Sequence, residues 1–493
     1  MIESLINPIP SSFLLIMIVY FLLLAFIGYV AARQTKDLKD FLIMGGNASA
    51  IVSGVAYFAT QYSVSTFMGV PAIAYKEGFA GLSISVPGIA FSMIIPALVV
   101  GLKIMKLSKK NQFLTMTDYL ADRYQSNILR VSHALLMVVF LVAVMGAQMV
   151  GAGIIFKTFT GYPEWLGALI TGAIVTLYCM FGGMRGAMLT DVLQGLLMLT
   201  TAVVTFIMSL KAGGGLEAIT KTMAENSTSR LSHPGANGTF TYGVYVSMIV
   251  LWSFFSIAQP TLFTKFFTMK NYSVMFRAVL LGTIGMFISA TLIEWSGVNA
   301  FVSNPSLSGN DADFIVPIII QQNLPSLLSS ILIAGIVSAG MSTVSALMVV
   351  ATGGITRDIY QKLINPNATN ETILKLSRIV TVIIGISGIA IGIYKPSGIF
   401  EIVRFAFGGM GVWAIAVILG MYWKRSTSIG VLSGVFIAET YYLYPKINNL
   451  DGTPLALGLD SLLTSWILGM IVAIIVSLYT KPVKSEVIER HFG

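Results

Sequence analysis

The sequence predicts an all-α polytopic membrane protein of about thirteen transmembrane helices, ten of them forming two inverted five-helix repeats. Three observations carry this. The 493 residues are 56% apolar and only 10% charged, with a mean hydropathy of +0.83, whereas a soluble domain carries about 25% charged residues. Apolar runs long enough for a helical crossing of about 20 residues recur from one end to the other. Two of these runs, five apart in order, are crowded with hydroxyl, amide and proline residues where the bilayer is driest. Long unalternating runs exclude a β-barrel, and the length leaves no room for a large soluble head.

Taken in order, the runs place spans near residues 10–33, 45–75, 79–106, 128–157, 160–181, 187–210, 242–268, 275–302, 325–355, 374–395, 398–422, 428–446 and 458–480. The first is read as a retained span because only Glu3 precedes it, where a cleaved signal would carry basic residues. Thirteen is odd, so the termini face opposite sides. With the N-terminus outside, twenty-two of the 30 basic residues, Lys265 among them, fall on the cytoplasmic side. The positive-inside rule therefore predicts N-out and C-in in the cell (inner) membrane. The formal charge of +9 is read as this topology signal, with no nucleic-acid partner. The longest polar connection, about 211–241, lies outside, and its sequons at Asn226 and Asn237 are read as chance. A lone Cys179 and three scattered histidines exclude a disulfide framework and a metal-hydrolase site.

The second span contains Gly54, then Ala59-Thr-Gln-Tyr-Ser-Val-Ser65-Thr66, then Gly69-Val-Pro71; the seventh contains Trp252-Ser-Phe-Phe-Ser256-Ile-Ala-Gln259-Pro260-Thr261. Unwound backbone at that depth is tolerated only where protein or a water-filled cavity satisfies it. Paired interruptions in two halves of a chain point to a transporter whose site lies between them near the midplane. Spans 2–6 (45–210) and 7–11 (242–422) are thus expected to be inverted repeats within one transporter domain, 1–493. One N-terminal and two C-terminal helices are additional.

In the ninth span Ser338, Ser342 and Ser345 stand at i, i+4 and i+7, so three hydroxyls share a face. Asp191 lies in the sixth span, where a carboxylate costs about 2.5–3.5 kcal/mol at full depth and so has a partner or a task. Two readings fit: a helix cap or partner of Arg185, or a ligand to a hard cation alongside hydroxyls and freed carbonyls. Sodium is the natural candidate for that cation and a proton on Asp191 the rival, and composition does not separate the two.

Three blocks carry a family resemblance: GGMRGAMLTDVLQG at 182–195, SAGMST at 338–343 followed by Arg357-Asp358-Ile-Tyr360, and LGMYWKRST at 419–427. Through them the chain resembles the sodium:solute symporter family, which has the LeuT-type 5+5 inverted-repeat fold. The stretches 59–78, 113–126 and 405–426 look most like its sodium/pantothenate symporters. The resemblance implies a sodium site formed by the backbone oxygens of Ala59, Tyr62 and Ala339 and the hydroxyls of Ser342 and Thr343. Some members have a second sodium site; the matching residues are Asp191, Ser342 and Ser345, but Ala346 stands where a further serine belongs.

The resemblance also implies a substrate pocket. Ser63 and Thr66 match positions that hold a carboxylate in sialic-acid-transporting relatives. Trp252, Ser256 and Pro260 match lining positions of the proline carriers, Gln148 matches a contact of the sugar carriers, and Gln148 and Gln259 suit amide and hydroxyl groups. Arg404 has no counterpart there and is read as snorkelling outward, pairing with Glu401.

The expectation is a non-enzymatic, sodium-coupled symporter importing pantothenate or a similar small carboxylate. Its partners would be that solute, sodium and the lipid bilayer, with no obligate protein partner. Alternatives are the same chemistry on proline, sialic acid or another organic acid. A kinase-coupled sensor would need a long soluble extension after Lys481, and an enzyme would need converging acids or a partnered His or Cys.

Overall fold

The computed structural model describes residues 7–307, 309–396, 399–448 and 459–493. Among them secondary structure is helical apart from one isolated bridge, Ala48 to Met269. Nine helices are long and apolar enough to cross a membrane, and the bent pair Tyr242–Ala258 and Pro260–Thr268 makes a tenth. This stops short of the thirteen expected for three physical reasons. The twelfth span, Ser428–Ile447, is helical but its second half, from Glu439 through three tyrosines, is too polar for it to be counted. The second span is broken into pieces too short to count, Ala50–Gln61, Val64–Phe67 and Gly69–Glu77. The fifth and sixth form one hydrogen-bonded element, Glu164–Ala212.

That element cannot be a single crossing: 49 residues at about 1.5 Å each far exceed a hydrocarbon core of about 30 Å. It reverses at Gly183, whose φ of +54° lies where a side chain is strained. A Cβ on Gly186 would stand 3.0 Å from the carbonyl oxygen of Tyr178, a closeness that a straight helix cannot give residues eight apart. The predicted boundary between 181 and 187 therefore falls on the kink.

The ninth span, Ser326–Ile364, is the central pillar. Its most apolar stretch is 94% buried inside the protein, against 28% for Pro10–Gln34 at the periphery. Both broken spans lie against it, and the approach to the second meets the end of the seventh. Ala48, before the second span, accepts its place beside Met269, just past the seventh, with Ala48 N–H donating to Thr268 O at 2.9 Å. Nine residues on, Tyr57 packs on Phe266, three residues back.

The 211–241 connection folds as helix Leu216–Asn226 and a tight turn at Thr228–Leu231. It is fastened to the end of the second span. Buried Glu77 accepts from Asn237 N–H at 3.0 Å, Asn237 Nδ2 at 3.1 Å and Thr239 Oγ1 at 2.5 Å, and Arg230 donates to the Lys76 carbonyl at 2.8 Å. Both polar side chains of the Asn237 sequon are therefore committed to Glu77.

Candidate functional site

The second span stops being helical at Tyr62 and Ser63, both extended. The break releases carbonyls that a continuous helix would use and a new N–H at its restart. Each finds a partner from another span. Ser342 Oγ donates to Ala59 O at 3.0 Å and to Ala339 O at 3.1 Å; Thr343 Oγ1 donates to Tyr62 O at 2.8 Å and to Ala339 O at 3.0 Å. Five oxygens from two helices thus converge, and all five residues are buried. They are the five singled out in the sequence as a sodium shell. Oxygen ligands alone, with no charge among them, suit a hard monovalent cation held loosely enough to leave.

The restart of the helix is held as firmly. Gln148 Oε1 accepts Val64 N–H at 2.9 Å, while Gln148 Nε2 has no hydrogen-bond partner among the described residues. A Cβ on Gly340 would come within 2.8 Å of Val64 Cγ2, so this glycine lets the ninth span approach the break. Ser63 N–H donates to Thr66 Oγ1 at 3.3 Å, and the hydroxyls of Ser63 and Ser65 are 2.7 Å apart.

Beside the break lies a cavity. Ser63, Thr66 and Trp252 line it, joined by Gln61, Ser65 and Ser92. Away from the break it is bounded by Phe240, Phe407, Tyr442, Arg404 and Asp460. Of the expected pocket residues, Gln148, Ser256 and Gln259 are buried and not part of this lining, with Ser256 Oγ and Gln259 Oε1 lacking partners among the described residues. Pro260 opens the second half of the bent seventh span and borders a different small cavity, beside Thr115, His133 and Asp358. The structure therefore gathers three of the seven expected substrate residues directly.

Arg404 does not reach water alone. It is ion-paired with Asp460, which caps helix Ser461–Tyr479, and the pair lies in the cavity wall. The expected partner's side chain, that of Glu401, lies outside the described residues. Gln61, Ser65, Ser92 and Asp460 were missed in the sequence. Gln61 and Ser65 could have been found, because they sit inside the interrupted block.

Asp191 corrects a second expectation. Its partner is Lys265, whose Nζ stands 3.2 Å from Asp191 Oδ2, with both side chains fully buried. Arg185 instead reaches Gln34 and Asp40. Lys265 is thus an interior charge rather than one of the cytoplasmic topology residues. Ser345 Oγ donates to Ser342 O of its own helix at 2.9 Å, and Ser338 shares the Tyr20 hydroxyl with Gln194.

A last ionic cluster involves the Arg357-Asp358 motif. Asp118 accepts from Arg357 Nε at 2.9 Å and Arg130 Nη1 at 3.1 Å, and Asp358 accepts from Thr115 Oγ1 at 2.7 Å. Burial pushes the Asp118 carboxyl up, but Arg357, Arg130 and Lys362 outweigh it and hold the group below its usual range.

With this geometry in view, comparisons with known proteins are direct. The profile of a family described as the sodium:solute symporter family matches residues 41–438. The chain is 28% identical to a sodium/pantothenate symporter of Escherichia coli K12, covering 86% of this chain and 89% of that protein. It is 25% identical to the osmoregulated proline transporter of Bacillus subtilis 168, covering 95% of each. Among solved structures, a substrate-bound, outward-open sodium-coupled sialic acid symporter superposes with a TM-score of 0.83 at 20% identity, covering 96% of this chain and 99% of that one. This likeness shows a shared LeuT-like fold.

Proposed function

The chain belongs to the sodium:solute symporter family, and on that premise we propose that it imports pantothenate, or a closely similar small carboxylate, together with sodium. The observation that carries the coupling is the convergence of Ala59 O, Tyr62 O, Ala339 O, Ser342 Oγ and Thr343 Oγ1 across the helix break. The two hydroxyls themselves donate to these carbonyls. Sodium entering among the five oxygens would turn both hydroxyls so that their lone pairs face the ion, and would pin the second span to the ninth.

Pinning matters because the cavity wall is made of the next turn. Ser63, Ser65 and Thr66 follow the broken segment directly, so ordering Tyr62 orders them. Ion and solute then favour each other's binding, and linkage makes the effect mutual. Alternating access follows as repeats 45–210 and 242–422 rock about the site. With the N-terminus outside and the membrane inside-negative, each inward sodium gains about 2.3 kcal/mol per 100 mV.

Two features favour pantothenate. The pantothenate carrier of Escherichia coli is more similar than the proline carrier of Bacillus subtilis, at 28% against 25% identity. The cavity also offers hydroxyls at its inner end and Arg404 farther out, across an otherwise largely apolar wall, which suits an elongated solute bearing a carboxylate, an amide and hydroxyls. Uptake of labelled pantothenate into proteoliposomes under an inward sodium gradient, with proline and sialic acid as competitors, tests the reading. Uptake of labelled proline or sialic acid, with no pantothenate signal, would reassign the substrate.

A further inference from the structure

The residues that would make a second sodium site do not fit one. A second ion needs Asp191 to be available, together with the hydroxyls of Ser342 and Ser345. Instead Asp191 Oδ2 faces the Lys265 ammonium at 3.2 Å. Ser342 points its hydroxyl at Ala59 O and Ala339 O, Ser345 points its own at Ser342 O, and position 346 is an alanine without a ligand atom. Among the described residues Asp191 Oδ1 has no hydrogen-bond partner, so neither serine hydroxyl supplies one.

We infer that the Lys265 ammonium is a built-in counter-charge for Asp191 which takes the place of a second sodium ion, making this carrier a one-sodium machine. This rests on the sodium-coupled reading above and deepens it. Two fully buried opposite charges, 74 residues apart in sequence, join the seventh span to the sixth. A buried carboxylate must be compensated, and a covalently attached cation does so without being released in each cycle. An alanine at 346 and an ammonium at 265 are mutually consistent: the site has too few oxygens for an ion and already holds a positive charge. Because the pair is neutral, the charge moved per cycle is that of one sodium plus the solute. For a monovalent anion the cycle carries no net charge.

The test is the number of radioactive sodium ions bound per purified carrier, with melting temperature followed in sodium against choline at constant ionic strength. The wild type is expected to bind one ion per chain, and the neutral pair Asp191→Asn/Lys265→Met also one. Lys265→Met alone leaves the carboxylate needing a cation, so its melting temperature should rise with sodium more steeply than the wild type's. Two ions on the wild type, loss of binding in the double variant, or an unchanged sodium response in Lys265→Met would each overturn the inference. No sodium bound by the wild type would instead refute the coupling reading on which it rests.

Discussion

The hydroxyl of Ser342 donates to the carbonyl oxygen of Ala59 at 3.0 Å, closing 283 residues of chain on the point where the second span unravels. With Thr343 Oγ1 on Tyr62 O at 2.8 Å, this contact ties a helix that must open to one that stays buried.

If these oxygens hold sodium, Ser342→Ala and Thr343→Ala should each raise the sodium concentration for half-maximal uptake by about tenfold or more, equivalent to about 1.4 kcal/mol. Thr343→Ser keeps the hydroxyl and should stay near wild type. Uptake at varied sodium and fixed substrate measures this.

Gln148 is the acceptor that ends the break, taking Val64 N–H at 2.9 Å in a fully buried setting. Gln148→Leu strands that N–H, and the expected loss is about 1–3 kcal/mol of stability. Thermal unfolding in detergent reads it. Because Val64 sits between Ser63 and the cavity residues Ser65 and Thr66, loosening it should raise KM for pantothenate as well.

Arg404 and Asp460 form an ion pair in the cavity wall. Arg404→Leu leaves the nearly buried Asp460 carboxylate unpaired beside the path of an anionic solute. KM for pantothenate should increase several-fold while the sodium dependence stays constant. Substrate and sodium titrations of the variant separate the two effects, and an unchanged KM would remove Arg404 from substrate recognition.

Asp118 binds Arg357 and Arg130 while buried. Removing one charge, as in Asp118→Asn, should destabilise by about 3–5 kcal/mol. Its carboxyl lies below the usual range in the folded chain. The group therefore contributes fully above the unfolded carboxylate range and loses that contribution only as pH falls through the lower folded value. The Asp118→Asn penalty, from paired melting curves, should be constant between about pH 5 and about pH 8 and shrink in stronger acid.

Much of this was legible in the sequence because it rests on local patterns. The break in the second span announces itself as polar residues in an apolar run, and Ser342 and Thr343 stand in a compact motif. The kink at Gly183 lies in the glycine pair that opens the sixth-span block. What stayed hidden is long-range. Lys265, near a predicted span end, looks the same in sequence whether it faces the cytoplasm or turns inward to Asp191, and only the packing of the seventh span on the sixth decides. Arg404 lies 56 residues from Asp460, so no helical spacing joins them and the nearer Glu401 drew the expectation. Ser92 and Phe240 reach the cavity by tertiary folding alone.

The measurement that bears most directly on the account is accumulation of labelled pantothenate by proteoliposomes under an imposed inward gradient of sodium, with choline and potassium gradients alongside. Concentrative uptake with sodium alone, abolished by Ser342→Ala with Thr343→Ala, is the predicted result. Equal accumulation in choline or potassium, or sodium-driven accumulation undiminished in the double variant, would contradict it.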